Sequence, residues 1–108
     1  MYVVINGIEW QIKRVNPYDT NLFRDDGTLT VGMTDRMQMT IFLNDKLKGL
    51  FLRKVLVHEL VHAWIFSYGY ILSVQQEEFI CDFISSNADD ILNKADELIC
   101  TGYFRVAL

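Results

Sequence analysis

Leu50-Phe51-Leu52-Arg53-Lys54-Val55-Leu56-Val57-His58-Glu59-Leu60-Val61-His62-Ala63-Trp64-Ile65-Phe66 decides how this chain folds. Wound as a helix, it is apolar around nearly its whole circumference, which marks a central, buried helix rather than a surface one. Asn44 or Asp45 is a candidate cap, and the start falls between Asp45 and Leu50 because Gly49 weakens the helix locally. Helix formers run to about Ser67, and Tyr68-Gly69-Tyr70 supplies the stop.

Within this helix, His58-Glu59-Leu60-Val61-His62 spells HExxH, and these are the chain's only two histidines. Positions four apart share a helix face, so both imidazoles can point at one metal ion. Glu59 reaches the same neighbourhood. Two imidazoles and a carboxylate at this spacing are what a zinc hydrolase needs, two ligands and a base beside a bound water. Two satisfied core histidines beside a glutamate would instead leave a costly unpaired carboxylate in an apolar helix.

Such a site takes a third protein ligand and keeps one position open. The next acidic residues are Glu77, Glu78 and Asp82, in Gln75-Gln76-Glu77-Glu78-Phe79-Ile80-Cys81-Asp82-Phe83. This segment also reads as a helix, with Glu78 and Asp82 four apart on one face. Glu78 is then the candidate third ligand, and Asp82 can accept a hydrogen bond from the outer nitrogen of a ligating histidine. Glu77 is the rival ligand, since a one-residue shift stays open, and a Cys81 thiolate is a lesser alternative. A solvated acidic face at a helix start is the plain reading of the same residues.

HExxH followed on a second helix by Glu-x-x-x-Asp resembles the gluzincins, the thermolysin-like branch of the zinc metallopeptidases. The small size resembles the minimal gluzincins and the ImmA/IrrE-type peptidases of phages and mobile elements. The resemblance covers roughly residues 37–98 and is specific at the two motifs. It implies a zincin-like fold and a hydrolase that cuts peptide bonds with a metal-bound water. In that scheme His58, His62 and Glu78 hold Zn2+, Glu59 is the general base, and Asp82 backs His58. It also implies that residues 37–43, the strand preceding the motif helix, line the cleft and pair with extended substrate. Tyr68, Tyr70, Tyr103 and Arg105 are the candidate donors to the oxyanion. The Leu-Met-Pro stretch that often follows the glutamate helix in ImmA/IrrE proteins is absent, and no helix-turn-helix accompanies the motif. Repressor cleavage is therefore not carried over. The alternative function is a non-hydrolytic zinc-binding or protein-interaction domain that retains the site.

Composition bounds the rest. With 108 residues, 51% of them hydrophobic, the expectation is one domain over residues 1–108. No apolar run reaches the roughly eighteen residues of a membrane span. Met1-Tyr2-Val3-Val4-Ile5-Asn6 lacks the basic region and cleavage site of an export signal, so the expected location is the cytoplasm. A net charge of −4 without a basic patch disfavours nucleic acid as a partner; a peptide or protein substrate is the partner that the resemblance implies. Cys81 reads as a small buried side chain, and neither it nor Cys100 has structural-zinc spacing.

Upstream of the motif helix the periodicity is that of strands. Val3-Val4-Ile5 and Ile8–Lys13 flank Asn6-Gly7, a two-residue hairpin signal, with Ile8, Trp10 and Ile12 on one face. Asn16–Asp19, Asp25-Asp26-Gly27 and Thr34-Asp35-Arg36 read as turns, Thr28–Met33 as a strand, and the segment 20–24 is undecided. In Met37–Leu43, Met37, Met39, Ile41 and Leu43 alternate onto one face and read as core. After the motif helix, a second helix starts near Val74 and either continues to Ile99 or breaks near Ser85-Ser86-Asn87. Residues 101–108 read as a packed, extended tail. The fold class is therefore α+β. A short N-terminal sheet of three or four strands, antiparallel or mixed, precedes the active-site helix and the glutamate-bearing helix.

Overall fold

Asn6 and Gly7 both take positive φ, 49° and 76°, the backbone that a tight two-residue hairpin turn demands. They join β1 (Tyr2–Ile5) to β2 (Ile8–Val15) as an antiparallel pair with Val3 opposite Trp10. In the computed structural model, which describes residues 1–104, two further strands follow, β3 (Gly32–Asp35) and β4 (Thr40–Asn44). The sheet order is β1-β2-β4-β3. β4 runs parallel to β2, with Ile41 opposite Ile12, and antiparallel to β3, with Phe42 opposite Met33. The architecture is α+β, with the mixed sheet followed by α1 (Gly49–Ser67) and α2 (Val74–Cys100).

β4 is the hydrophobic centre. Thr40, Ile41, Phe42 and Leu43 are all buried, so both faces of the strand are covered. Ile41 and Leu43 join Ile5, Trp10, Leu47, Val55 and Ala63 in the core that sheet and α1 share. A short 3-10 turn at Thr20–Leu22, capped by the Asp19 carboxylate on the Asn21 amide, packs against β4 and buries Leu22 completely.

The expected strand over 37–43 is shorter, and its methionines are not core. Asp35 accepts hydrogen bonds from the Gln38 amide (3.0 Å) and Gln38 Nε2 (2.8 Å), closing a turn that lifts Met37 to 92% exposure. Met39 occupies the left-handed region at φ 50° and is also exposed. The preceding strand is displaced in the other direction. Thr34 and Asp35 belong to β3, and of residues 28–31 only Leu29 makes a bridge, to Phe23. Residues 37–43 do not form the sheet edge either. β4 is enclosed between β2 and β3, and the free edge on that side is β3.

α1 begins at Gly49 behind Lys48, which makes no side-chain cap. Asn44 instead accepts from the Lys46 amide at 2.8 Å. Arg14 of β2 donates to the carbonyl of Leu47 at 2.5 Å, pinning this connection to the sheet. At the other end Trp10 Nε1 donates to Ser67 Oγ at 2.7 Å and Asn6 Nδ2 donates to the Ser67 carbonyl at 3.0 Å. Both ends of α1 are thus held by the first hairpin. The helix is less enclosed than its composition suggests, because Leu50, Phe51 and Trp64 are exposed.

Ser73 opens α2 with a capping box: its hydroxyl accepts from the Gln76 amide while Gln76 Oε1 accepts from the Ser73 amide. The helix passes unbroken through Ser85-Ser86-Asn87, where Ser85 Oγ and Asn87 Nδ2 donate back to the carbonyls of Asp82 and Phe83 instead of capping a new helix. Residues 101–104 form an exposed turn rather than an extended segment, and the rest of the expected tail lies outside the described residues. No helix among the described residues is long and apolar enough to cross a membrane.

Candidate metal centre

The helical repeat sets His58 and His62 one turn apart on the face of α1 turned to α2, their ring centroids 5.1 Å apart. The first turns of α2 bring Glu78 against both. Glu78 Oε1 lies 3.0 Å from His62 Nε2, and Oε2 lies 3.4 Å from His58 Nε2. The opposite nitrogen of each ring meets a different carboxylate. His62 Nδ1 is 2.5 Å from Glu77 Oε1, and His58 Nδ1 is 3.1 Å from Asp82 Oδ1. Each imidazole therefore presents one nitrogen toward Glu78 and has the other backed by an acid.

Glu77 and Glu78 both engage the site, in different ways. Consecutive helix residues point about 100° apart. Glu78 reaches the nitrogens that converge, while Glu77 reaches behind His62. That partnership of Glu77 with His62 was not read from the sequence, which cast Glu77 only as a rival to Glu78.

Glu59 is on the side of the helix that packs on the sheet and keeps only 7% of its surface exposed. Its Oε2 lies 4.0 Å from His58 Nε2. Thr34 of β3 holds it: the Oγ1 hydroxyl sits 2.9 Å from Glu59 Oε1 and 3.0 Å from the Glu59 carbonyl, sharing its one proton between them. Burial pushes the Glu59 carboxyl above the ordinary glutamate range, and the charges of His62 and His58 and the Thr34 bond oppose that shift in part. The sequence places Thr34 in a turn, and nothing local to it points to this contact.

Donor atoms capable of holding one ion fall into two overlapping groups, each within 4.8 Å: His58 with His62 and Cys81, and His58 with Glu78 and Asp82. The His58–His62 cluster, completed by Glu78 or Cys81, can therefore hold a metal. The chemistry of the donors fits a divalent cation. Four carboxylates, Glu59, Glu77, Glu78 and Asp82, crowd two imidazoles, and none of the four is paired with a lysine or arginine among the described residues. Glu78 touches the inner nitrogen of both rings. Cys81 is fully buried, and in the metal-free chain that burial, followed by the charges of Glu78, Glu77, Glu59 and Asp82, pushes its thiol up to about 12. A cation bound there would have to displace that proton.

Two cavities open on the cluster. One of about 520 Å³ is bounded by His58, Glu59, His62, Glu78 and the β3 residues Met33 and Thr34. The other, about 390 Å³, runs from His58 and Glu59 past Gly32 toward Lys54. Both are large enough for a small ligand or a side chain. Tyr68, Tyr70 and Tyr103 line neither, and Arg105 lies outside the described residues. Arg24 lines both, from the stretch whose sequence was undecided.

No protein-family model, curated protein or solved structure matches this chain.

Proposed function

We propose that the chain is a zinc-dependent metallopeptidase of the gluzincin type, with His58, His62 and Glu78 as ligands and Glu59 as general base. The observation that carries this reading is the double-sided arrangement of the imidazoles. Both Nε2 atoms face the Glu78 carboxylate, and both Nδ1 atoms are backed by another acid, Asp82 or Glu77. Carboxylates behind histidines fix the tautomer that leaves the inner nitrogen free to ligate and make it a better donor. A purely structural histidine pair needs no such backing on both rings.

Zinc, when bound, supplies a Lewis acid that acidifies a water and polarises a carbonyl. The protein's own residues do the rest. Glu59, held by Thr34 at the wall of the cavity, accepts a proton from the attacking water and delivers it to the departing amide nitrogen. β3 forms the cavity wall, and its outer edge carries no strand among the described residues. An extended peptide added there would run past Glu59, and we assign β3 the cleft-lining role.

The test is a zinc titration paired with hydrolysis of a mixed peptide pool. One zinc per chain, cleavage by the loaded protein, and loss of cleavage with retained zinc in Glu59→Gln are expected. A general base contributes about 10²–10⁴-fold, so the loss is large. Zinc bound with no cleavage of any peptide would favour a non-hydrolytic zinc-binding domain; full activity in Glu59→Gln would end the mechanism.

A further inference from the structure

The lining of the smaller cavity joins two chemistries. It includes part of the cluster, His58, Glu59 and Asp82, and two cations, Arg24 and Lys54. Lys54 lies one helical turn before His58 on α1, so both side chains rise from the same face. Arg24 approaches from the segment between the 3-10 turn and β3. Apolar surface from Val31, Val55 and Phe51 and the hydroxyl-bearing Thr30, Ser85 and Ser86 completes the lining.

Neither cation has an acidic partner within ion-pair distance among the described residues. The contrast with the adjacent residue is direct: Arg53 pairs with Asp89 across the two helices, while Lys54 makes no ion pair among the described residues. Asp26 feels the charge of Arg24, but its carboxylate is taken by the Thr28 amide at 2.9 Å and its acidity owes less to Arg24 than to Thr28. In a chain with a net charge of −4, two uncommitted cations lining one cavity are a specific local departure.

We propose that this cavity is a subsite for a carboxylate, bound by Arg24 and Lys54, that selects peptides carrying an acidic side chain or a free C-terminus next to the bond at Glu59. This deepens the peptidase reading and rests on it for the word peptide, though not for the binding of the anion. Charge-assisted hydrogen bonds from a guanidinium and an ammonium are stronger than neutral ones and distinguish a carboxylate from its isosteric amide. The apolar part of the lining would take methylenes or a neighbouring side chain. Both cations are exposed, so replacing them leaves the core intact.

Three probes separate the sources. Acetyl-glutamate amide carries its carboxylate only on the side chain, acetyl-glutamine only at the terminus, and acetyl-glutamine amide has none. Each is titrated into the chain supplied with zinc, and into the Arg24→Gln/Lys54→Gln double variant, with backbone resonances of Gly32 and Ser85 as reporters. At least one charged probe is expected to move them, about tenfold more tightly than the neutral probe, and to lose that advantage in the double variant. The probe that does so names the source. Equal binding of the neutral probe, no binding by any probe, or binding undiminished in the double variant (a carboxylate on the metal alone) would overturn the subsite. Cleavage of the peptide pool is scored in parallel. Cleavage with no preference for acidic peptides overturns the subsite and leaves the peptidase reading standing; carboxylate binding with no cleavage does the reverse.

Discussion

Gly32 lies so close to Glu59 that a side chain there would crowd the glutamate, and it would clash outright with the neighbouring Val55. A Cβ on Gly32 would lie 3.1 Å from Glu59 Cγ, 3.3 Å from Glu59 Oε2 and 2.8 Å from Val55 Cγ1. The residue is needed for this approach of β3 to α1, which is also what puts Thr34 within reach of the Glu59 carboxylate. Gly32→Ala is therefore expected to destabilise the protein by about 1–3 kcal/mol, the usual cost of overpacking. Adding Val55→Ala removes the tightest clash and should restore much of the stability in urea denaturation. Hydrolysis should recover less, because the crowding of Glu59 remains. Full stability in Gly32→Ala alone would show that the strand and helix separate freely.

Ser67 gives the buried indole of Trp10 its only hydrogen-bond acceptor among the described residues, at 2.7 Å. Trp10 has no exposed surface. Ser67→Ala leaves that N–H unsatisfied, at a cost of about 1–3 kcal/mol. The midpoint of denaturation should fall with little change in its slope, and the emission of Trp10 should shift. Trp64 is exposed and should report little of this.

The backing acids and the inner acid should separate in a zinc competition assay. Asp82→Asn and Glu77→Gln remove the carboxylates at His58 Nδ1 and His62 Nδ1, and each should weaken zinc binding about 10–100-fold. Glu78→Gln should weaken it more, since Glu78 faces both inner nitrogens. If Glu77→Gln proves the most damaging, the ligand assignments of these neighbouring residues are reversed. If Cys81→Ala does, the thiol completes the set instead.

What could be read in the chain was whatever covalent spacing alone determines. The i, i+4 repeat places His58 beside His62, and Glu78 beside Asp82, whatever else the chain does. Asn6-Gly7 carries its own turn geometry. The rest depends on contacts between segments. Gly32 looks like a weak strand residue until α1 packs against it, and Thr34 looks like a turn until it meets Glu59. The rotation of α2 about its axis, which gives Glu77 to one nitrogen and Glu78 to another, is set by helix packing rather than by either helix. The alternation of Met37, Met39, Ile41 and Leu43 misled for a related reason. An alternating pattern can end in a turn as well as in a strand, and the Asp35–Gln38 contacts decide for the turn.

The buried Glu59 links the site to folding in the metal-free protein. Burial is the largest influence on its carboxyl and raises its pKa above that of the unfolded chain, near the ordinary value of about 4.5. Below that value the group is protonated in both states, and burying it costs least. As pH climbs through the elevated folded value, the unfolded state releases its proton first, and stability is lost. Glu59→Gln cannot ionise, so the chelator-treated variant should be more stable than the parent at neutral pH, with the gap closing on acidification toward about pH 4. Thermal denaturation of both proteins across that range measures the gap. A constant difference, or one that widens in acid, would show that Glu59 is not desolvated in the folded chain. With zinc present the gap should shrink, because a cation beside the carboxylate favours its charged form. The same substitution would then strengthen the empty fold while removing the group proposed to move the proton, as a site that trades stability for function should.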